Sequence, residues 1–142
     1  MGNHSQSGLR PPIHLLAAES DVVAGLALQV EHRHPVVAAM LLEEIERAEL
    51  HEAHNLPREA VTLRSEVDFV DERNMQMRTI QLVMPGEANI ALGKISILTP
   101  MGAALYGLTA GQSIDWPDLD GHERRIKILR VRQPEELSAR LN

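Results

Sequence analysis

The spacing of apolar residues changes once along this chain, and that change constrains the fold more than any other sequence feature. Up to about residue 54, apolar side chains recur every three or four positions, which is typical of amphipathic helices. From Val61 onward they alternate with polar side chains, which is typical of half-buried strands. We therefore predict an α+β protein in which helices come first and a small sheet follows.

The helical part predicts two helices joined by a short break. The first begins near Ala17, and the second begins at Pro35, because proline suits the first position of a helix. With so short a connection the two helices must run antiparallel as a hairpin. Since Pro57 disfavours helix at the residue before it, we expect the second helix to end before Asn55. The apolar stripes are Val23, Leu26 and Val30, then Val37, Leu41, Ile45 and Ala48.

The predicted hairpin, residues 17–56, is short. Arms of roughly 15–20 residues are about 20–30 Å long at 1.5 Å per residue. Its tip contains Glu31, His32, Arg33 and His34. Residues 1–16 are expected to form a disordered or extended lead, since the first eight are polar and small and do not resemble a signal peptide.

The second part, residues 57–142, predicts an antiparallel sheet. Val67 and Phe69 lie on one face of a first strand, and a turn at residues 71–74 leads to a second strand that alternates through Ile80 and Leu82. Further strands are expected at residues 94–98, 113–116 and 124–132, with a turn at residues 117–121. In the last strand the apolar face shifts near Ile128, which indicates a β-bulge or a strong twist there, or else a strand covered on both faces.

One short helix is expected between these strands. Thr99 can cap its start, Pro100 fits its first position and Gly107 can end it.

Composition excludes several functional classes. The chain has no cysteine, so disulfides and thiolate zinc sites are absent, and no apolar run approaches the ~20 residues that span a bilayer. Of the net charge of −6, residues 1–60 carry −5, with four arginines against nine acidic residues. Only three aromatic residues are present. Independent nucleic-acid binding is therefore not expected, because it needs basic patches or stacking rings.

No motif indicates a catalytic, cofactor or metal site. His51 and His54 are three residues apart, whereas the zinc-protease helix needs a spacing of four, and His32 with His34 has no third ligand nearby in sequence. No serine lies in a nucleophile elbow and no glycine-rich phosphate loop occurs. The row of glutamates on the second helix is typical of a solvated face. Glu43 and Arg47, four residues apart, suit an ion pair on such a face.

A longer pattern resembles a known family. It consists of the segments Gly93-Lys94-Ile95-Ser96-Ile97, Thr99-Pro100-Met101-Gly102-Ala103-Ala104-Leu105, Gly107-Leu108 and Gly111. The pattern is similar to the carboxy-terminal domain of the bacterial Gre transcript-cleavage factors, and more closely to the Rnk family, the regulators of nucleoside diphosphate kinase. The segments Gln112-Ser113-Ile114-Asp115-Trp116 and Gln133-Pro134-Glu135 resemble Rnk more than Gre. The resemblance covers residues 60–135 well and the helical hairpin only in outline.

The resemblance implies an FKBP-like fold for the sheet domain and binding to RNA polymerase at the rim of its secondary channel. It places the polymerase contact on Leu98, Thr99, Pro100 and Met101. Gre factors often carry an aspartate where this chain has Leu98. It does not imply prolyl isomerase activity, because that pocket is lined by aromatic residues.

The hairpin of this chain differs from the coiled coil of the Gre factors that it resembles. A Gre factor reaches the polymerase active site with a long coiled coil whose tip carries acids that help to hold magnesium. The tip of this chain has one acid, Glu31, beside one arginine and two histidines, which suits magnesium poorly. We therefore expect a cytoplasmic, monomeric regulator that is not an enzyme and competes with Gre factors. The alternatives are regulation of the level or activity of nucleoside diphosphate kinase and, third, transcript cleavage.

Overall fold

The computed structural model describes residues 11–117, 123–135 and 137. Within these residues the α-helices are Ala17–Gln29 (α1), Pro35–Arg47 (α2) and Pro100–Leu105 (α3). The strands are His14–Leu16 (β1), Glu49–His51 (β2), Glu66–Asp71 (β3), Gln76–Val83 (β4), Lys94–Ser96 (β5), Ser113–Pro117 (β6) and Glu123–Arg132 (β7). The architecture is α+β, as predicted. None of the described helices is long and apolar enough to cross a membrane.

The helical hairpin is present and short. Helices α1 and α2 have 13 residues each, so each is about 20 Å long, and they pack against each other across a five-residue connection. Pro35 takes the first position of α2, as predicted, because its missing N–H would have no partner there in any case. The buried positions Val23, Ala27 and Leu41 have no exposed surface, which places the apolar stripes against other parts of the protein.

The second helix ends at Arg47, so the predicted end just before Asn55 is wrong. Ala48 is extended, and the next three residues form β2, which pairs in parallel with β1. The Glu49 N–H donates to the Ile13 carbonyl over 3.0 Å, so β1 supplies the partners that another helical turn would have supplied. Of the predicted lead, His14–Leu16 is thus an extended strand, and residues 1–10 lie outside the described residues.

The main sheet has five strands in the order β5-β4-β3-β7-β6. The predicted β3–β4 hairpin is confirmed, and the sheet is antiparallel except at one edge, where β5 pairs in parallel with β4. This parallel return needs a crossover, which contains two single turns of 3-10 helix at Pro85–Glu87 and Ile90–Leu92. The predicted turn after β6 falls mostly outside the described residues.

A β-bulge causes the shift of the apolar face in the last strand. Asp68 pairs with Arg130, but its neighbour Phe69 pairs with Ile128, so Leu129 is the extra residue. Leu129 is 41% exposed, whereas Ile128 is fully buried. The bulge lets β7 keep apolar side chains inward on both sides of it.

Hairpin and sheet share one hydrophobic core. Its buried residues come from α1 and α2 as well as from β3, β4, β7 and α3. Gly107 lies just after α3 and against the segment around β1, and a Cβ there would come within 2.9 Å of Ile13 and Leu15 atoms. The His14 N–H donates to the Gly107 carbonyl over 2.9 Å. The base of the hairpin is therefore fixed to the sheet domain by backbone contact as well as by packing.

Candidate functional site

The four residues that the resemblance singles out lie together where the chain enters α3. We call Leu98, Thr99, Pro100 and Met101 the helix-entry segment. All four side chains are half-buried, and Leu98 and Met101 pack against the core. The segment therefore presents a small, mostly uncharged surface whose shape depends on the packing beneath it.

Local sequence explains this geometry. The Thr99 side chain caps the helix by accepting a hydrogen bond from the Gly102 N–H over 3.0 Å, and its hydroxyl donates to the Ser96 carbonyl over 2.8 Å. Pro100 occupies the first helical position, as predicted. Helix α3 lies against α2, so the helix-entry segment is next to the second arm of the hairpin.

The hairpin tip, residues 31–34, is exposed. The backbone N–H groups of Arg33 and His34 both donate to the Val30 carbonyl, which closes the connection tightly. The tip offers one carboxylate, on Glu31, and two apolar side chains beside it, Leu28 and Val36, are 57% and 70% exposed. Such a tip lacks the several oxygen ligands that magnesium requires.

A half-buried carboxyl group joins the hairpin to the sheet domain. Glu19 Oε1, on α1, accepts hydrogen bonds from the Leu63 N–H over 3.2 Å and from the Tyr106 hydroxyl over 3.1 Å. Burial raises the pKa of Glu19, while these two hydrogen bonds and the charge of Arg64 oppose the rise. Burial, and then the Glu19 charge, raises the pKa of Tyr106. The junction is thus more stable when Glu19 is protonated.

This junction predicts a pH-dependent contribution to stability. A carboxyl group whose pKa is raised by folding contributes stability below its ordinary value of 4.5, and loses that contribution as pH rises through its folded pKa. Glu19→Gln keeps the accepting oxygen and cannot ionise. We expect its free energy of unfolding to equal that of the wild type below pH 4.5 and to exceed it increasingly toward neutrality. Urea denaturation across this range measures the difference.

Glu19→Ala is the matched control for the same junction. It leaves the Leu63 N–H and the Tyr106 hydroxyl without their partner, which costs about 1–3 kcal/mol relative to Glu19→Gln at every pH. If Glu19→Gln loses as much stability as Glu19→Ala at neutral pH, ionised Glu19 stabilises the fold and the expected direction of the pH dependence is wrong.

Charged side chains on the outer face of the sheet neutralise one another. Arg132 donates to both carboxylate oxygens of Asp68, over 2.9 and 3.0 Å, and to Glu66 over 3.0 Å. The Arg132 hydrogen bonds, followed by one from Thr79, lower the pKa of Asp68. Acidic and basic residues are thus mixed on this face rather than gathered in a single basic patch.

One group of side chains in the described residues could hold a metal ion. His14, Glu49 and His51 lie on the paired strands β1 and β2, and their ligand atoms are all within 4.8 Å of one another. We call them the base cluster, because they lie at the base of the hairpin. Sequence reasoning missed this group, since it looked for ligands close in sequence and treated His51 only together with His54.

This chain is similar to known transcription elongation factors and to a known regulator. A family model described as "Transcription elongation factor, GreA/GreB, C-term" matches residues 56–133, more than half of the chain. A regulator of nucleoside diphosphate kinase from Escherichia coli (strain K12) is 29% identical over 127 residues, which are 89% of this chain and 93% of that protein. The transcription elongation factor GreA of Acidiphilium cryptum is 33% identical over 94 residues, which are 66% of this chain and 59% of that protein.

The fold has a solved counterpart as well. A prokaryotic transcription elongation factor GreA/GreB from Nitrosomonas europaea is 31% identical and superposes with a TM-score of 0.71. The alignment covers 87% of this chain and 100% of that one, so it includes most of the helical hairpin as well as the sheet domain.

Proposed function

This chain belongs to the GreA/GreB family of transcription elongation factors, and on that premise we propose that it binds RNA polymerase at the rim of the secondary channel without cleaving transcripts. In this role it regulates transcription by occupying the channel entrance and competing there with Gre factors.

The observation that carries the proposal is the hairpin. Its arms of 13 residues are about 20 Å long, and its tip has one carboxylate beside an arginine and two histidines. Delivery of a catalytic magnesium ion requires reach and clustered carboxylate oxygens. A short arm with this tip supports occupancy of the entrance and gives no support to chemistry at the active site.

The helix-entry segment supports the contact with polymerase. It lies beside α2, so the hairpin and the segment can meet one partner together. Leu98 stands where Gre factors often have an aspartate, so the proposed contact depends more on shape and apolar burial than on charge.

Two assays with core RNA polymerase test the proposal. In a pull-down, the full chain should bind the polymerase, and a GreA protein should displace it. In stalled elongation complexes with magnesium, the chain should leave the RNA at full length and should reduce the cleavage caused by added GreA. Failure to bind, or shortened RNA without GreA, would contradict the proposal.

Pro100→Glu is expected to weaken polymerase binding without unfolding the protein. Glutamate is favoured in the first turn of a helix, so the melting temperature should change little. The new charge would be desolvated at the interface, which should lower the affinity about tenfold or more. Binding curves with core polymerase measure the change.

The control is Pro12→Glu, the same substitution at an exposed proline in the segment before β1. It should bind polymerase as the wild type does. Equal affinity for Pro100→Glu and the wild type would remove the helix-entry segment from the interface.

Regulation of nucleoside diphosphate kinase is the second candidate. The observation that favours it is the similarity to the Escherichia coli regulator over 89% of the chain. The rate of purified kinase, measured with and without this protein, tests direct action. An unchanged rate would leave only an indirect effect through transcription.

A further inference from the structure

We propose that the base cluster binds one divalent transition-metal ion of the Zn²⁺ type. The site fastens the two ends of the hairpin together and is independent of polymerase binding. It consists of two imidazole nitrogens and one carboxylate oxygen from His14, His51 and Glu49.

The distances suit a single ion. His14 Nδ1 lies 3.0 Å from His51 Nε2 and 3.4 Å from Glu49 Oε1. In a tetrahedral zinc site with bonds of about 2.0–2.1 Å, the ligand atoms are about 3.3 Å apart. Both separations from His14 are within a few tenths of an ångström of that spacing, and all three ligand atoms lie within 4.8 Å of one another.

The strand pairing brings the three ligands to one side. In the parallel register His14 lies opposite Glu49, and Leu16 lies opposite His51. Side chains alternate along a strand, so Glu49 and His51 project to the face that carries His14, while the buried Leu15 projects to the other. The His14 side chain is only 21% exposed, and its ring centroid is 5.1 Å from that of His51. Folding has therefore already ordered part of the site, so less side-chain conformational entropy is lost when the metal ion binds.

The donor set selects the ion. Two imidazoles and a carboxylate suit zinc and its neighbours in the first transition row, whereas magnesium and calcium prefer oxygen ligands alone. Three protein ligands leave a fourth position for water. Solvent can reach that position, because the Glu49 side chain is 68% exposed.

Equilibrium competition with a chromophoric zinc chelator tests the site, using the full chain without a histidine tag. We expect the wild type to bind one equivalent of Zn²⁺ and to melt at a higher temperature with Zn²⁺ than with EDTA. His51→Gln and Glu49→Gln should each weaken binding by more than about tenfold, since even residues that merely support metal ligands contribute about 10- to 100-fold. Glu49 is 68% exposed, so its substitution leaves the fold intact.

His32→Gln and Glu31→Gln are the matched controls, because they make the same substitutions at the exposed hairpin tip. Both should bind Zn²⁺ as the wild type does. Loss of binding in His32→Gln, or full binding in His51→Gln, would place the ion elsewhere and overturn the proposal. A wild type that fails to compete with a chelator of micromolar affinity would also overturn it, and the two histidines would then simply share a proton.

Discussion

Gly102→Ala is expected to destabilise the protein by on the order of 3 kcal/mol, the upper part of the range for overpacking a core. A Cβ at Gly102 would lie 3.0 Å from the Ile97 Cα and closer still to the Ser96 carbonyl oxygen. Both are backbone atoms, so no side-chain rotation can relieve the contact. Helix α3 would have to move away from β5, and the helix-entry segment would move with it.

Gly25→Ala is the control for this prediction. Gly25 lies in α1, and a Cβ there would meet nothing within 4 Å. Alanine should therefore stabilise the helix by about 0.5–1 kcal/mol, the usual advantage of alanine over glycine inside a helix. Urea denaturation of both variants measures whether each substitution lowers or raises the free energy of unfolding. A Gly102→Ala protein as stable as the wild type would show that α3 packs less closely on β5 than these distances indicate.

Leu41→Ala is expected to cost about 2–5 kcal/mol, the range for large-to-small changes in a core. Leu41 has no exposed surface and belongs to the core that α2 shares with the sheet. Because hairpin and sheet share this core, the variant should loosen both. Hydrogen exchange should show amides of α2 and of β3 losing protection together, in one cooperative unit.

Leu28→Ala makes the same substitution on the hairpin at a side chain that is 57% exposed. Its effect should stay within about 0.5 kcal/mol, as for most surface changes. If Leu41→Ala instead lowers hydrogen-exchange protection in the hairpin and leaves that of β3 unchanged, the hairpin unfolds as a separate unit. The inference that hairpin and sheet form one cooperative unit would then be wrong.

The features that the sequence predicted well have local causes. Pro35 and the Thr99-Pro100 pair mark helix starts because proline and a capping hydroxyl satisfy or remove backbone donors at those positions. The bulge at Leu129 was visible as a shift in apolar phase, because a bulge changes which side chains face the core.

The features that it did not predict depend on distant partners. The glutamate-rich sequence after Arg47 continues a helical pattern, yet β1 converts it to a strand by pairing with residues 35 positions away in sequence. The three-residue strands β1 and β2 carry too little alternation to be recognised. The base cluster depends on that same pairing, so local spacing of histidines could not reveal it. The strand at residues 94–98 was predicted, but its parallel pairing with β4 was not, because that pairing follows a crossover rather than a tight turn.

The β1–β2 ribbon also allows the outer part of the hairpin to change in length. The chain leaves the domain after Leu16 and returns at Glu49, and these two points are held side by side by backbone pairing. If the same number of whole helical turns were added to the end of α1 and to the start of α2, the tip would move outward by about 5.4 Å per turn. The core below would not change. Arm length and domain architecture can therefore evolve separately, so one scaffold can carry hairpin arms of different lengths.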